Sequence, residues 1–328
     1  MKIAVVGATG LVGREILKVL ENMSIGFSEL LVVASDRSIG KSVPLSGKDY
    51  QVISLEEAVA KKPEIAIFSA GASVSLEWAP RFNKAGTTVV DNSSAWRMAE
   101  DVPLVVPEIN GNVLTAAHKI IANPNCSTIQ LVMVLYPLNN KYKLKRLVIS
   151  TYQSVSGSGA KAVQQLMDER NDKPGEKFYP HQIDLNVIPQ GGDFMADGYT
   201  TEEIKLVSET QKILQSDVKV TATVVRVPVI GGHSEAVNAE FEHDFVLEEV
   251  KRLLGTMPGV VIFDFPEGNM YPMPILAEGK DEVFVGRLRR DLSQPNSLNM
   301  WIVSDNLRKG AATNAVQIVS YIITNKLI

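Results

Sequence analysis

The sequence predicts an α/β protein: a doubly wound parallel sheet at the N-terminus, followed by a second α+β domain built on a mixed sheet. Three observations carry this. Over the first third of the 328 residues, short apolar runs at 3–6, 30–34, 65–69, 88–90 and 120–121 alternate with amphipathic stretches. The first such stretch, 12–20, puts Val12, Ile16, Val19 and Leu20 on one helical face, and a glycine-rich turn joins it to the first strand. In the middle of the chain the pattern changes: 146–153 and 218–229 are β-branched strand runs, 160–170 and 202–215 are helical, and 235–242 and 283–289 read as further strands. The last apolar helix, 311–323, is expected to pack back on the first domain, which gives a division into 1–125 plus 308–328 and 126–307. Pro/Gly-rich patches at 172–180, 189–198 and 266–279 read as long loops.

Composition narrows the function. Thirty-three Lys and Arg against 37 Asp and Glu give a net charge of −4 without long like-charge runs, which argues against a nucleic-acid or acidic-membrane surface. The single cysteine excludes an intrachain disulfide, and four histidines without a Cys/His cluster offer no metal site. The chain opens directly into a strand with no signal-like segment, and no run reaches ~18 apolar residues, so a cytoplasmic protein is expected.

The turn Gly7-Ala8-Thr9-Gly10-Leu11-Val12-Gly13 follows a strand and opens a helix, the setting in which backbone N–H groups can approach a pyrophosphate at a helix N-terminus. Its place at the chain start inside a βαβ unit favours a dinucleotide site in a Rossmann-type domain, the alternative being a packing turn without ligand. At the end of the second strand, Ser35-Asp36-Arg37-Ser38 holds an acid suited to a ribose hydroxyl beside an Arg suited to a 2′-phosphate; Arg37 with Ser35 and Ser38 favours NADP, the alternative being that Arg37 is a solvated loop residue. Further on, Asn123-Pro124-Asn125-Cys126-Ser127-Thr128 precedes an apolar helix. Asn125 is a good N-cap, so Cys126 falls in the first turn, where the macrodipole favours a thiolate. A lone Cys is by type a small buried hydrophobe; the cap and the nearby cofactor motif favour a nucleophile. Of the histidines, His118, His181 and His243 sit in turns, loops or acidic settings, whereas His233 follows two glycines that leave room around its ring. Arg226, interrupting an apolar strand, reads either as a ligand or as an outward-facing residue. Gln153 ends a strand before the small-residue loop 154–159, which reads either as a ligand approach or as a simple turn.

Taken in order, Gly7 to Gly13, Asn92-Ser93-Ser94-Ala95-Trp96-Arg97, Asn123 to Thr128, Gln153 to Gly159, Glu202 with Lys205, Arg226-Val227-Pro228 with His233, and Asp305-Asn306-Leu307-Arg308-Lys309-Gly310-Ala311-Ala312 resemble the aspartate-β-semialdehyde dehydrogenase family over nearly the whole chain. The resemblance implies a glyceraldehyde-3-phosphate-dehydrogenase-like fold, with 1–125 plus 308–328 binding NADP and 126–307 serving catalysis and dimerisation. It implies that Cys126 is the acyl-thioester nucleophile, Gln153 orients the intermediate and His233 is the acid/base. Arg226 and Glu202 would hold the substrate's carboxylate and amino group, Arg97 and Lys205 would bind phosphate, and Asn125 would join the substrate site. Gly7, Thr9, Gly10, Leu11, Val12, Gly13, Ser35, Arg37, Ser38, Ser156, Gly157 and Asn306 would contact the cofactor, Asn306 near the nicotinamide amide. The implied substrates are L-aspartate 4-semialdehyde and phosphate, the implied pathway is aspartate to lysine (through diaminopimelate), methionine, threonine and isoleucine, and the implied assembly is a homodimer or homotetramer. Three alternatives stand beside it. N-acetyl-glutamyl-phosphate reductase shares the chemistry but has no use for Glu202 opposite a free ammonium. Glyceraldehyde-3-phosphate dehydrogenase has a differently composed nucleophile segment, and a silent dinucleotide-binding sensor would leave Cys126 an ordinary thiol.

Overall fold

The computed structural model describes all 328 residues, which form two compact units, Met1–Asn125 with Ala311–Ile328 and Cys126–Gly310. In the first unit the elements run β1 (Lys2–Val6), α1 (Leu11–Asn22), β2 (Glu29–Val33), β3 (Ser42–Leu45), β4 (Lys48–Ile53), α2 (Leu55–Ala60), β5 (Ile65–Phe68), α3 (Ala72–Lys84), β6 (Thr88–Asp91), α4 (Pro107–Asn110) and β7 (Ile120–Ala122). The strands form one sheet in the order β3-β4-β2-β1-β5-β6-β7, parallel throughout except for the β3/β4 hairpin at its edge.

The central strands are apolar at every position because both faces are covered. Ile3, Val5 and Ile67 point to one side, against Ile16 and Leu20 of α1 and the chain's last helix; Ala4, Val6 and Phe68 point to the other, against Trp78 and Phe82 of α3. The β3/β4 hairpin escaped the sequence pattern for a physical reason: β3 is mostly exposed and contains Pro44, a residue that an edge strand tolerates because no neighbour needs its N–H.

The second unit contains α5 (Cys126–Tyr142), β8 (Leu144–Gln153), α6 (Ala160–Arg170), α7 (Thr201–Leu214), β9 (Lys219–Arg226), β10 (His233–Phe241), α8 (Leu247–Gly255), β11 (Val260–Ile262), α9 (Pro274–Ala277), β12 (Val283–Arg290) and β13 (Ser297–Ser304). The chain then re-enters the first unit, where α10 (Thr313–Thr324) is the helix that packs with α1. The six strands form a mixed sheet, β11-β12-β13-β10-β8-β9, in which β8/β9 and β11/β12 are parallel and the other pairs antiparallel. Helix α5 is apolar on nearly every side because it is buried among β10, β13, α7 and α8.

The strand expected at 218–229 stops at Arg226, since Pro228 cannot donate to a ladder, and the strand expected from 235 begins at His233. The loop expected at 266–279 encloses a 3-10 turn and α9, and β11 and β13 were not anticipated. No helix is long and apolar enough to cross a membrane.

Candidate functional site

Strand register assembles the site of the second unit. β8 and β9 run in parallel and end side by side at Gln153 and Arg226, which are paired. β10 runs antiparallel to β8, with Ser234 opposite Tyr152, so His233 comes opposite Gln153; on its other side His233 pairs with Ser304, the last residue of β13. Arg226, Gln153, His233 and Ser304 thus form one row across one end of the sheet. All four are buried, which settles the open reading of Arg226: at 7% exposure it is no outward-facing strand residue.

Helix α5 brings its N-terminus to this row. It begins at Cys126, half-buried, immediately after Asn125. Gln153 Nε2 donates to Ser127 Oγ at 2.6 Å, which ties the row to the first turn. A helix N-terminus favours an anionic sulfur. On the other side of the sulfur's residue lies Gly310, where a Cβ would stand 3.0 Å from that of Cys126, so the close approach requires a residue without a side chain.

His233 is fully buried, and Ser154 sets its tautomer. The Ser154 backbone N–H donates to Nδ1 at 3.1 Å, so in the neutral ring Nδ1 presents its lone pair and Nε2 carries the proton. Nε2 makes no hydrogen bond within the protein. Gly157 keeps the space before it open, since a Cβ there would lie 2.9 Å from Nε2 and 3.1 Å from an Arg226 guanidinium nitrogen. Burial, reinforced by the Arg226 charge, pushes the His233 pKa down to about 3, with Glu202 opposing.

Glu202 and Arg226 line one cavity of about 380 Å³, together with Gly157, Tyr179, Gln190 and Asp193. Opposite charges on one pocket wall match a zwitterionic amino-acid head group. Glu202 lines the cavity, whereas its neighbour Glu203 closes a capping box with Thr200 and accepts from Val224 N at 2.9 Å. Lys205, one turn along α7, bonds Glu202 at 2.8 Å.

Asn306 is buried, and its amide is engaged: Oδ1 accepts from Ser154 Oγ and Gly232 N, both at 3.0 Å, and Nδ2 donates to Ser156 Oγ at 3.1 Å. It therefore braces the loop after β8 and the turn before β10. Sequence reading missed Ser154 and Ser127 as members of this network. It also missed Glu235, which follows His233 by two residues and so shares its face of β10, a signal that strand alternation offers.

Burial raises the Glu235 pKa to about 8, against weaker opposing help from Gln130 and Ser127. Below pH 4.5 the carboxyl is neutral in both folded and unfolded chains; between that value and about 8 only the unfolded chain ionises, so stability falls as pH rises through this window. At ~1.36 kcal/mol per pKa unit the loss is of order 5 kcal/mol. Glu235→Gln is expected to raise Tm by several degrees at pH 8.5 and by little at pH 5, read by thermal melts; an equal shift at both values would show that ionisation is not the cause.

In the first unit the glycine turn fits a dinucleotide. Gly7 has φ +86°, and a Cβ on it would stand 2.3 Å from Ser69 O; a Cβ on Gly13 would stand 2.1 Å from Gly7 O, so helix and strand can meet only at glycine. Gly10 caps α1, flanked by Thr9, Leu11 and Val12. Ser35, Asp36 and Arg37 are exposed just beyond β2, with Ser38 closing a 3-10 turn. Arg97 is buried after β6 and donates to two carbonyls, Nε to Asn123 O at 2.9 Å and a terminal nitrogen to Asn92 O at 3.0 Å.

Two family models match the chain: "Semialdehyde dehydrogenase, NAD binding domain" over residues 2–117 and "Semialdehyde dehydrogenase, dimerisation domain" over residues 135–309. An aspartate-semialdehyde dehydrogenase of Aquifex aeolicus is 51% identical, covering 100% of this chain and 99% of that protein. The crystal structure of aspartate semialdehyde dehydrogenase II of Vibrio cholerae complexed with ASA superposes with a TM-score of 0.93 at 42% identity over 98% of each chain. The Candida albicans aspartate semialdehyde dehydrogenase solved with NADP gives 0.78 at 26% identity, covering 100% of this chain and 99% of that one.

Proposed function

The chain belongs to the aspartate-semialdehyde dehydrogenase family of oxidoreductases, and from that premise we propose that it interconverts L-aspartate 4-semialdehyde plus phosphate with L-4-aspartyl phosphate through a thioester on Cys126, using NADP, in the pathway from aspartate to lysine, methionine, threonine and isoleucine. The observation that carries the reading is the row Arg226–Gln153–His233 at the foot of the Cys126 helix, with Glu202 and Arg226 sharing one cavity.

In the phosphorylating direction the Cys126 thiolate adds to the aldehyde carbon, forming a C–S bond and an alkoxide. His233 Nε2–H donates to that oxygen, and Gln153 orients the adduct from the neighbouring position in the row. When bound, NADP accepts the hydride that leaves the carbon, or as NADPH returns it in the biosynthetic direction. The resulting thioester is attacked by a phosphate oxygen; the C–S bond breaks, the thiolate is restored and the acyl phosphate departs. Arg97 and Lys205 are the basic groups proposed for phosphate, and Asn125 is proposed for the substrate site. Gly7 to Gly13, Ser156, Gly157 and Asn306 are proposed for the cofactor; with its amide already engaged, Asn306 acts there by shaping the Ser154–Gly157 loop. The unit matched by the dimerisation-domain model is proposed to join two chains as a homodimer.

Arg37 supports NADP over NAD, and the Candida albicans relative was solved with NADP. Arg37→Ala is expected to weaken NADP binding at the low end of the range for hydrogen bonds to charged groups, about 1.5 kcal/mol or tenfold, because Arg37 is exposed. Equal use of NAD and NADP by the unaltered protein would instead place Asp36 on the ribose.

A two-substrate kinetic matrix tests the substrate. Truncating Arg97 or Lys205 is expected to raise chiefly the KM for phosphate, whereas Arg226→Ala and Glu202→Ala should penalise the semialdehyde in both KM and kcat, since binding away from the reacting carbon also orients it. If Arg226→Ala altered only the phosphate KM, or Glu202→Ala acted equally on substrates without an amino group, another acyl-phosphate reductase activity would replace this one.

A further inference from the structure

Arg97 does not hold itself in place. Both carbonyls it bonds belong to asparagines at adjacent strand ends, Asn92 just after β6 and Asn123 just after β7, at the carboxyl edge where doubly wound sheets bind ligands. Their side chains are linked in turn. Asn123 Nδ2 donates to Asn92 Oδ1 at 2.6 Å and to Ala311 O at 3.2 Å. Asn314, the second residue of α10, donates through Nδ2 to Asn123 Oδ1 at 2.7 Å and to Val105 O at 2.9 Å. Asn123 and Asn314 are fully buried.

The two hydrogens of each Nδ2 group thus both have acceptors, and the amides cannot be turned without setting oxygen against oxygen. Donation runs one way, from Asn314 to Asn123 to Asn92, and it fixes the two peptide segments whose carbonyls define the plane of the guanidinium. A guanidinium recognises a tetrahedral oxyanion through the orientation of its fork, so its plane matters as much as its charge.

We propose that Asn314 is a positioning residue for oxyanion recognition: through the Asn314–Asn123–Asn92 ladder it sets the Arg97 guanidinium for phosphate without touching phosphate itself. The inference rests on the reading of Arg97 as a phosphate ligand, and the experiment separates the two.

The test is initial-rate kinetics of the full-length protein in the phosphorylating direction, with inorganic phosphate, semialdehyde and NADP varied in turn, for Arg97→Lys, Asn314→Ala, Asn314→Asp, Asn92→Ala and the double variant Arg97→Lys/Asn314→Ala. Asn314→Asp keeps the shape and loses both donors. Either Asn314 variant is expected to raise the phosphate KM about tenfold while the semialdehyde and NADP KM values stay within about twofold, and in the Arg97→Lys background Asn314→Ala should add less than about twofold. Asn92→Ala, which removes the far end of the ladder outside α10, should show the same phosphate-selective rise and keeps the test available if the Asn314 variants fail to fold. If Arg97→Lys raises the phosphate KM while the ladder variants leave it unchanged, or raise all three KM values alike, or add fully to Arg97→Lys, the positioning role is overturned. If Arg97→Lys itself leaves the phosphate KM unchanged, it is the reading of Arg97 that falls, and the inference with it.

Discussion

Cys126→Ala is expected to reduce turnover by about 10⁴-fold or more, the scale on which loss of a covalent nucleophile is felt. The substitution should leave the fold and NADP affinity nearly unchanged. Cys126 is half-buried at the first position of α5, alanine is a strong helix former, and the Cβ that packs on Gly310 is retained. What disappears is the sulfur, and with it the C–S bond by which the proposed mechanism divides one hard step into two. No neighbour can substitute: Ser127 is engaged with Gln153, and an alcohol lacks the nucleophilicity of a thiolate at neutral pH. The check is a steady-state assay of NADP reduction with semialdehyde and phosphate, paired with a thermal melt and a cofactor titration. A purified Cys126→Ala protein that kept more than about 1% of the original rate would remove Cys126 from the covalent role.

How far the sequence reveals such a site depends on the kind of information involved. The glycine turn is legible because Gly7 and Gly13, where no Cβ fits, leave their mark at fixed spacing, and Cys126 is legible because a cap residue and an apolar helix are local features. The strand ends are partly legible, for Gln153 closes the run 146–153, whereas Arg226 interrupts a run expected to continue to 229 and instead ends it. That they lie side by side is a matter of register, which their separate runs do not encode. The partnership of Ser154 with His233 spans 79 residues and exists only because β8 and β10 pair antiparallel. Glu202 and Glu203 show the same limit at closer range: as neighbours of one residue type they look alike, yet one faces a cavity and the other caps its own helix. Asn314 lies in the apolar stretch 311–323, where nothing local singles it out; its partners, the Asn123 side chain just after β7 and the Val105 carbonyl, are 191 and 209 residues away.

Replacing His233 with Asn is expected to lower kcat by ~10²-fold or more, the usual scale for a positioned acid/base. Its environment is consistent with the proposed service of one ring in both directions. In the ligand-free protein the ring is held neutral, its pKa about 3, by burial first and by the Arg226 charge second. A substrate carboxylate on Arg226 cancels the second cause, and an alkoxide before Nε2 adds an anion, so both raise the pKa once the substrate is bound. Protonation would occur at Nδ1, where Ser154 Oγ, 3.1 Å away, could accept, at the cost of the bond that the Ser154 backbone N–H now donates to the lone pair. The pH profile of kcat/KM, which reports the free protein, should therefore show no histidine limb above about pH 5, whereas the profile of kcat should show one closer to the ordinary value of about 6.5. Arg226→Ala should move the free-protein limb upward. The stability consequence has a definite sign: because the folded pKa is depressed, the neutral ring's contribution is intact above pH 6.5 and is lost as pH falls from 6.5 toward 3, a loss that His233→Asn should abolish. A His233→Asn protein with unchanged kcat at every pH would exclude the ring from proton handling and leave the alkoxide to other donors.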